Sequence, residues 1–224
     1  MGRTHVRVHG TVPRERPAHD RRVPHPPEDD RLSPQGVAHT LTRRHRELVL
    51  AGGRPEDLLD LTTAIDRAVH RFPVRPDLRL LAATVALALQ RPDLADAALD
   101  AVPGLADRPA GRVLAADAAQ LLGDYRAAER HYRTALRQAP RWSTTARLAA
   151  LSAATGRFAD ADDLYATAET EIPAGLARSF AWLRVQRGAL ALALGRLRRA
   201  GRFLTDAELA HGGWWYVTAH RAAL

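Results

Sequence analysis

Six residues of this chain return, in one register, 33 positions further on. Gly123, Tyr125, Ala128, Tyr132, Ala135 and Pro140 recur as Gly156, Phe158, Ala161, Tyr165, Ala168 and Pro173. Each match keeps the size and kind of its side chain. A fixed period of roughly 20–50 residues marks an array of units, none of which can bury its apolar face alone. The spacing has a mechanical reading. Ala128, Tyr132 and Ala135 share one helical face by the three-to-four-residue rule. The small residues admit a neighbouring helix, the aromatic fills the groove beside them, and Pro140 ends the run.

The frame extends in both directions. Leu61, Ile65, Ala68 and Pro73 copy the spacing of Ala128, Tyr132, Ala135 and Pro140, 67 residues earlier, which is close to two periods. They define a degenerate first unit with helices from Ser33-Pro34 to about Ala51 and from about Pro55 to Phe72. Ser33 offers a capping hydroxyl and Pro34 a first helical position that needs no N–H. An intervening unit should end near Ala106, with helices at about Pro76–Gln90 and Asp93–Ala101, the second cut short by Pro103-Gly104. The two clear units follow, at 109–141 and 142–174. Their helices are expected at about Pro109–Leu122, Asp124–Gln138, Trp142–Thr155 and Phe158–Glu171.

A fifth pair is expected at about Leu176–Leu194 and Leu197–Ala210. Here Ala200, Leu204 and Ala207 keep the second-helix spacing, and Gly188 gives its first helix a close approach. Gly195 lies 39 residues beyond Gly156, so the turn around Ala174-Gly175 carries an insertion. A terminal helix, Trp214 to Leu224, resembles half of another unit. It ends on Ala222-Ala223-Leu224, an apolar surface suited to a partner, to self-association, or to continuation in a longer array. Trp142, Trp214 and Trp215 read as packing residues at unit boundaries.

The second-helix pattern resembles that of the tetratricopeptide repeat (TPR) family, whose unit is two antiparallel helices. The first helices depart from it. Where the family favours Trp, Leu-Gly and Tyr, this chain has Arg112, Ala115-Ala116 and Ala119, then Thr145, Leu148-Ala149 and Ser152. The resemblance implies an all-α, right-handed superhelical solenoid of about five helix pairs plus a terminal helix. Two domains are expected: a tail at 1–32 and a repeat domain at 33–224. The tail is rich in proline, arginine and histidine and poor in large apolar groups, the composition of a disordered segment. His5 and His9 share a helical spacing there without helical periodicity around them, and read as a solvated pair rather than a metal site.

Composition narrows the functional classes. Hydrophobic residues make up 46% of the chain and aromatics only 5%, which suits closely packed helices rather than a β-core. With no cysteine, disulfides, thiolate metal sites and cysteine nucleophiles are excluded. The formal charge of +8 is carried by 33 arginines, with no lysine and no asparagine, the mark of GC-rich coding as much as of function. No apolar run approaches the roughly 20 residues of a bilayer span. The N-terminus has no apolar core of a secretory signal. The chain is expected to be cytoplasmic and not to insert in a membrane.

No nucleophile elbow, phosphate loop or metal-ligand motif is present, so no enzymatic activity and no cofactor is expected. Asp160, Asp162, Asp163, Glu169 and Glu171 read as the solvated face of an amphipathic helix. Two arginine clusters, Arg43, Arg44, Arg46 with His45 and Arg196, Arg198, Arg199, Arg202, lack interleaved aromatics. Nucleic acid is therefore an unfavoured partner.

In the resembled family the first helix of each pair lines a surface that grips a peptide. Carried over by register, the lining is Val113, Asp117, Gln120 and Leu121, then Ala146, Arg147, Ala150 and Ala153. Trp182, Val185, Ala189 and Leu192 follow, then Tyr216 and His220. Family members that clamp a C-terminal carboxylate use lysine and asparagine there, and this chain has neither. An apolar or amphipathic segment of another protein is the expected partner, with the chain as scaffold or adaptor. Two alternatives stand beside it: a regulatory repeat segment of a larger signalling or transcription-regulator system, and an arginine-mediated binder of nucleic acid or anionic surfaces.

Overall fold

The structure is a computed structural model that describes residues 33–51 and 55–222. The segment 1–32, with His5 and His9, lies outside the described residues, as do Ala223 and Leu224. The described residues form eleven helices and no strand. They are α1 (Pro34–Ala51), α2 (Pro55–Arg71), α3 (Pro76–Ala88), α4 (Pro92–Asp100), α5 (Pro109–Leu121) and α6 (Tyr125–Gln138). After these come α7 (Trp142–Ala154), α8 (Phe158–Glu171), α9 (Ala177–Ala193), α10 (Leu197–Ala210) and α11 (Trp215–Arg221). None is long and apolar enough to cross a membrane.

The sequence period sets the helix ends. α3, α5 and α7 start at 76, 109 and 142, while α4, α6 and α8 start at 92, 125 and 158. Both series step by 33, so the intervening unit is in register with the two clear ones. Ala95, Leu99 and Val102 stand where Ala128, Tyr132 and Ala135 stand one unit later, and all six are buried. Leu61, Ile65 and Ala68 of α2, and Ala200, Leu204 and Ala207 of α10, are buried in the same way.

The turns between paired helices repeat one geometry. Gly123, Gly156 and Gly195 adopt φ of +81°, +79° and +68°, the left-handed conformation that ends a helix. The next residue then donates its N–H five positions back, Asp124 to Ala119 O at 2.9 Å and Arg196 to Ala191 O at 2.8 Å. Three-residue turns of this kind force the helices of a pair to run antiparallel. In the second unit the glycine's place is taken by Gln90, at φ +59°. Arg91 still donates to Ala86 O at 2.9 Å.

Helix starts carry a second local device. Arg75 and Arg91 each precede a proline and fold back onto the aspartate two residues ahead. Arg75 Nε donates to Asp77 Oδ1 at 3.1 Å and its terminal nitrogen to Oδ2 at 2.6 Å. Arg91 repeats this on Asp93 at 3.0 and 2.8 Å. Ser33 caps α1 as its sequence suggests, accepting from Gly36 N at 3.2 Å.

Consecutive pairs stack through apolar clusters that span unit boundaries. Ala146, Ala149, Ala161, Tyr165 and Ala168 of the fourth pair pack with Leu183 and Leu190 of the fifth. Glycine permits two close approaches. A Cβ on Gly188 would lie 3.0 Å from Leu204 Cδ2, and one on Gly111 only 2.0 Å from the Leu105 carbonyl oxygen.

Two expectations need correction here. The acidic face of α8 is not wholly solvated, because α9 and α10 cover part of it. Arg187 bridges Asp162 and Glu169 at 2.9 and 2.8 Å, and Arg199 reaches Asp162 at 2.5 Å. Arg184 adds contacts to Glu169 and Asp206 at 3.4 and 3.3 Å. Arg184, Arg187 and Arg199 also lie over the Phe203 ring, 4.5–5.4 Å from its centroid. Arg199 is thus an internal tie rather than one member of a free basic cluster. Trp215 is the second correction: it is 69% exposed, whereas Trp142 and Trp214 are half-buried among core residues.

Candidate functional site

The first helices α3, α5 and α7 share a face on which two depressions lie one helical turn apart along α5. The upper one, about 270 Å³, is lined by Leu80 and Thr84 of α3, Ala110, Val113 and Leu114 of α5, and the α7 start at Arg141, Ser143 and Thr144. Ala135 and Ala139 close its side. The lower one, also about 270 Å³, is lined by Leu87 and Gln90, by Asp117, Gln120 and Leu121, and by Arg147 and Ala150, with Tyr132 behind them. Val113 and Asp117 are four residues apart, so one face of α5 contributes to both.

The lower depression is polar and tied to the core. Buried Tyr132 donates its hydroxyl hydrogen to Asp117 Oδ1. Gln120 Oε1 lies 3.4 Å from the same hydroxyl. Arg147 Nε donates to Asp117 Oδ2 at 3.2 Å, and its NH1 reaches the Ser143 carbonyl at 3.4 Å. Burial, then the Asp117 carboxylate beside it, pushes the Tyr132 phenol far above its ordinary value, so it remains a donor. The repeat aromatic therefore does two jobs: its ring fills the core, and its hydroxyl fixes the carboxylate that orients Arg147.

The residues expected from register fall into three groups. Asp117, Gln120, Leu121, Arg147 and Ala150 meet in the lower depression, and Val113 lines the upper one. On the fifth unit and α11 the same register gives a different result. Val185 is fully buried with Ala181, Leu204, Ala207 and Val217 and offers nothing to a ligand. Groove and core positions are neighbours on a helix, so a slip of one residue exchanges them. Ala146 is buried for the same reason, 1% exposed, while Arg147 beside it reaches the groove.

Trp182 is half-buried against the Tyr165 cluster, and Leu192 packs on Ala191, Ala200 and Phe203. Ala153 is half-buried in the Tyr165 cluster, and Ala189 is half-buried on α9. Tyr216 accepts a hydrogen bond from Gln186 Nε2 at 2.8 Å, and its ring centroid lies 4.5 Å from that of His220 at a 55° tilt; His220 Nδ1 lies 2.9 Å from the Tyr216 carbonyl. These two form an aromatic group with Trp214 and Trp215, away from the two depressions. Leu80, Thr84, Leu87, Gln90, Arg141, Ser143 and Thr144 were not expected. The 33-residue offset would have found the α3 residues, since Leu80 and Thr84 precede Val113 and Asp117 by one period.

No protein-family model matches the sequence, and no curated protein does. Solved structures do. A tetratricopeptide repeat protein from Parabacteroides merdae aligns with a TM-score of 0.68 and 17% identity over 84% of this chain and 69% of its own. A thermophilic TPR protein from Thermus thermophilus gives 0.70 and 17%, over 85% of this chain and 98% of its own. The fold is that of tetratricopeptide repeat solenoids. YrrB, a TPR protein with an unusual peptide-binding site, aligns at 0.52 and 11% over 86% of this chain and 100% of its own. In TPR terms the two depressions lie on the first helices of the second, third and fourth units.

Proposed function

We propose that this chain is a protein-interaction scaffold that receives an extended apolar or amphipathic segment across α3, α5 and α7. One observation carries this reading. Residues from three successive first helices, Leu87, Asp117 and Arg147 among them, line one depression, and a mostly apolar second lies one turn away. The apolar depression suits a side chain of the segment. The Gln90, Gln120 and Arg147 side chains suit its backbone carbonyls, since each can donate hydrogen bonds. A framework of packed helices limits the ordering cost of binding. YrrB, whose solved structure has this fold, has a peptide-binding site, which is consistent with the same use here.

The test is selection from a library of displayed random peptides against the full chain. Val113→Arg and Ala150→Arg variants are then compared with the parent after matching their helical circular dichroism. Selected peptides should bind the parent and lose at least tenfold in affinity on either variant. Peptides held equally by all three proteins would place binding elsewhere and remove the groove from the account.

A further inference from the structure

An arginine at the start of the first helices α3, α5 and α7 recurs with the period: Arg75, Arg108 and Arg141. The residue two positions on does not, being Asp77, Ala110 and Ser143. In the second unit the molecule shows what this arginine holds. The Asp77 carboxylate takes two hydrogen bonds from Arg75 at 3.1 and 2.6 Å and one from Leu78 N at 3.0 Å. In the fourth unit the carboxylate is missing, and Arg141 has no acidic partner among the described residues.

The start of α7 is open in other respects. No side chain caps it and its first turn has no acidic residue. Thr144 and Thr145 both donate their N–H to the Arg141 carbonyl, at 2.9 and 3.0 Å. The N–H groups of Trp142 and Ser143 are left without a helical acceptor, at the positive end of the helix dipole. Thr144 is only 3% exposed and lines the upper depression with Arg141 and Ser143. Its hydroxyl makes no hydrogen bond among the described residues, unlike that of Thr145, which donates to Arg141 O. The Thr144 oxygen is not sealed in the core but opens on the depression, where a group that is not part of this chain can accept from it. The remaining walls, Leu80, Val113 and Ala135 among them, are apolar apart from Thr84, whose hydroxyl donates to the Leu80 carbonyl at 2.8 Å.

We propose that this end of the groove reads an acidic side chain next to an apolar one in the bound segment. The carboxylate of a partner aspartate or glutamate takes the place that Asp77 holds in the second unit, accepting from Arg141, the free α7 N–H groups and Thr144 Oγ1. The neighbouring apolar side chain enters the depression between Leu80 and Val113. This specificity rests on the groove reading above and adds the chemistry of its occupant.

The experiment uses the full chain labelled with nitrogen-15 and two peptides blocked at both ends, Gly-Leu-Glu-Leu-Gly and Gly-Leu-Gln-Leu-Gly, with acetate as a third probe. The glutamate peptide should shift the Trp142, Ser143 and Thr144 amides with millimolar affinity or better. The glutamine peptide should bind about tenfold or more weakly, the usual worth of a charge-assisted hydrogen bond. Ser143→Asp rebuilds the internal clamp of the second unit. It should hold or raise the melting temperature, abolish the shifts at α7, and leave those at Asp117, Gln120 and Ala150.

Equal binding of the two peptides, or shifts confined to Asp117, Gln120 and Ala150, would overturn the acidic specificity and leave the groove standing. Acetate matching the glutamate peptide would overturn the peptide assignment in favour of a simple anion site. No shift at α7 with any probe would overturn the proposal outright, whereas the groove itself stands or falls on the displayed-peptide selection.

Discussion

At Gln90 the backbone keeps a left-handed turn without the glycine that the third, fourth and fifth units use there. A side chain in that conformation costs roughly 1–2 kcal/mol, and glycine's own entropy offsets about half. Gln90→Gly should therefore stabilise the fold by about 0.5–1 kcal/mol, a rise of about 2 °C in a chain of this size, read by thermal melting. Histidine supplies a second effect at this scale. Burial holds His131 below its ordinary value, with Arg112 and Arg130 adding to it and Asp96 and Asp107 opposing, and burial alone does the same to His45. Folding thus disfavours their protonation. As pH falls below about 6.5 the unfolded chain takes up protons that the native state resists, and stability drops until the folded values are reached. Melting temperature should fall between pH 7 and pH 5, and a His45→Gln, His131→Gln double variant should flatten that slope.

Helix pairs were the most legible feature of the sequence. Gly123, Gly156 and Gly195, with Pro140 and Pro173, mark helix ends, and the observed ends lie close to the expected ones. What the sequence did not display was how one pair meets the next. Asp162 and Glu169 look solvent-bound on α8 because the arginines that claim them lie 15 to 37 residues away. Arg187 is the centre of that tie, its side chain only 12% exposed. Arg187→Ala should cost about 2 kcal/mol, since it removes the most buried partner of two partly buried carboxylates and leaves Asp162 to Arg199 and Glu169 to Arg184, and Arg187→Ala with Asp162→Asn and Glu169→Gln should recover part of it. Denaturant melts of the three proteins provide the comparison. Gly111 is a stricter constraint still. Its missing Cβ is occupied by the Leu105 carbonyl, so Gly111→Ala must displace the turn that seats the start of α5. Its helical signal and melting temperature should fall more than those of Gly188→Ala, where only the flexible Leu204 side chain must move.

Across the whole molecule, one period connects fold to site. Since α3, α5 and α7 are copies offset by 33 residues, their equivalent faces line up, and a groove can form from residues far apart in sequence. The fold was legible because repetition multiplies a weak local signal. The site was legible only in part. Register identified Asp117, Gln120, Arg147 and Ala150, yet the same rule placed Val185 in the groove when it lies in the core. The insertion before α9 changes how the fifth unit meets the fourth, and register alone carries no information on that. The groove's position is tested most directly by photo-crosslinking. A benzoylphenylalanine at Leu121, in the lower depression, or at Leu209, the most exposed large apolar residue described, would be irradiated with a peptide selected on the full chain. A crosslink is expected at Leu121 and none at Leu209. Crosslinking at Leu209 with none at Leu121 would contradict the groove's position.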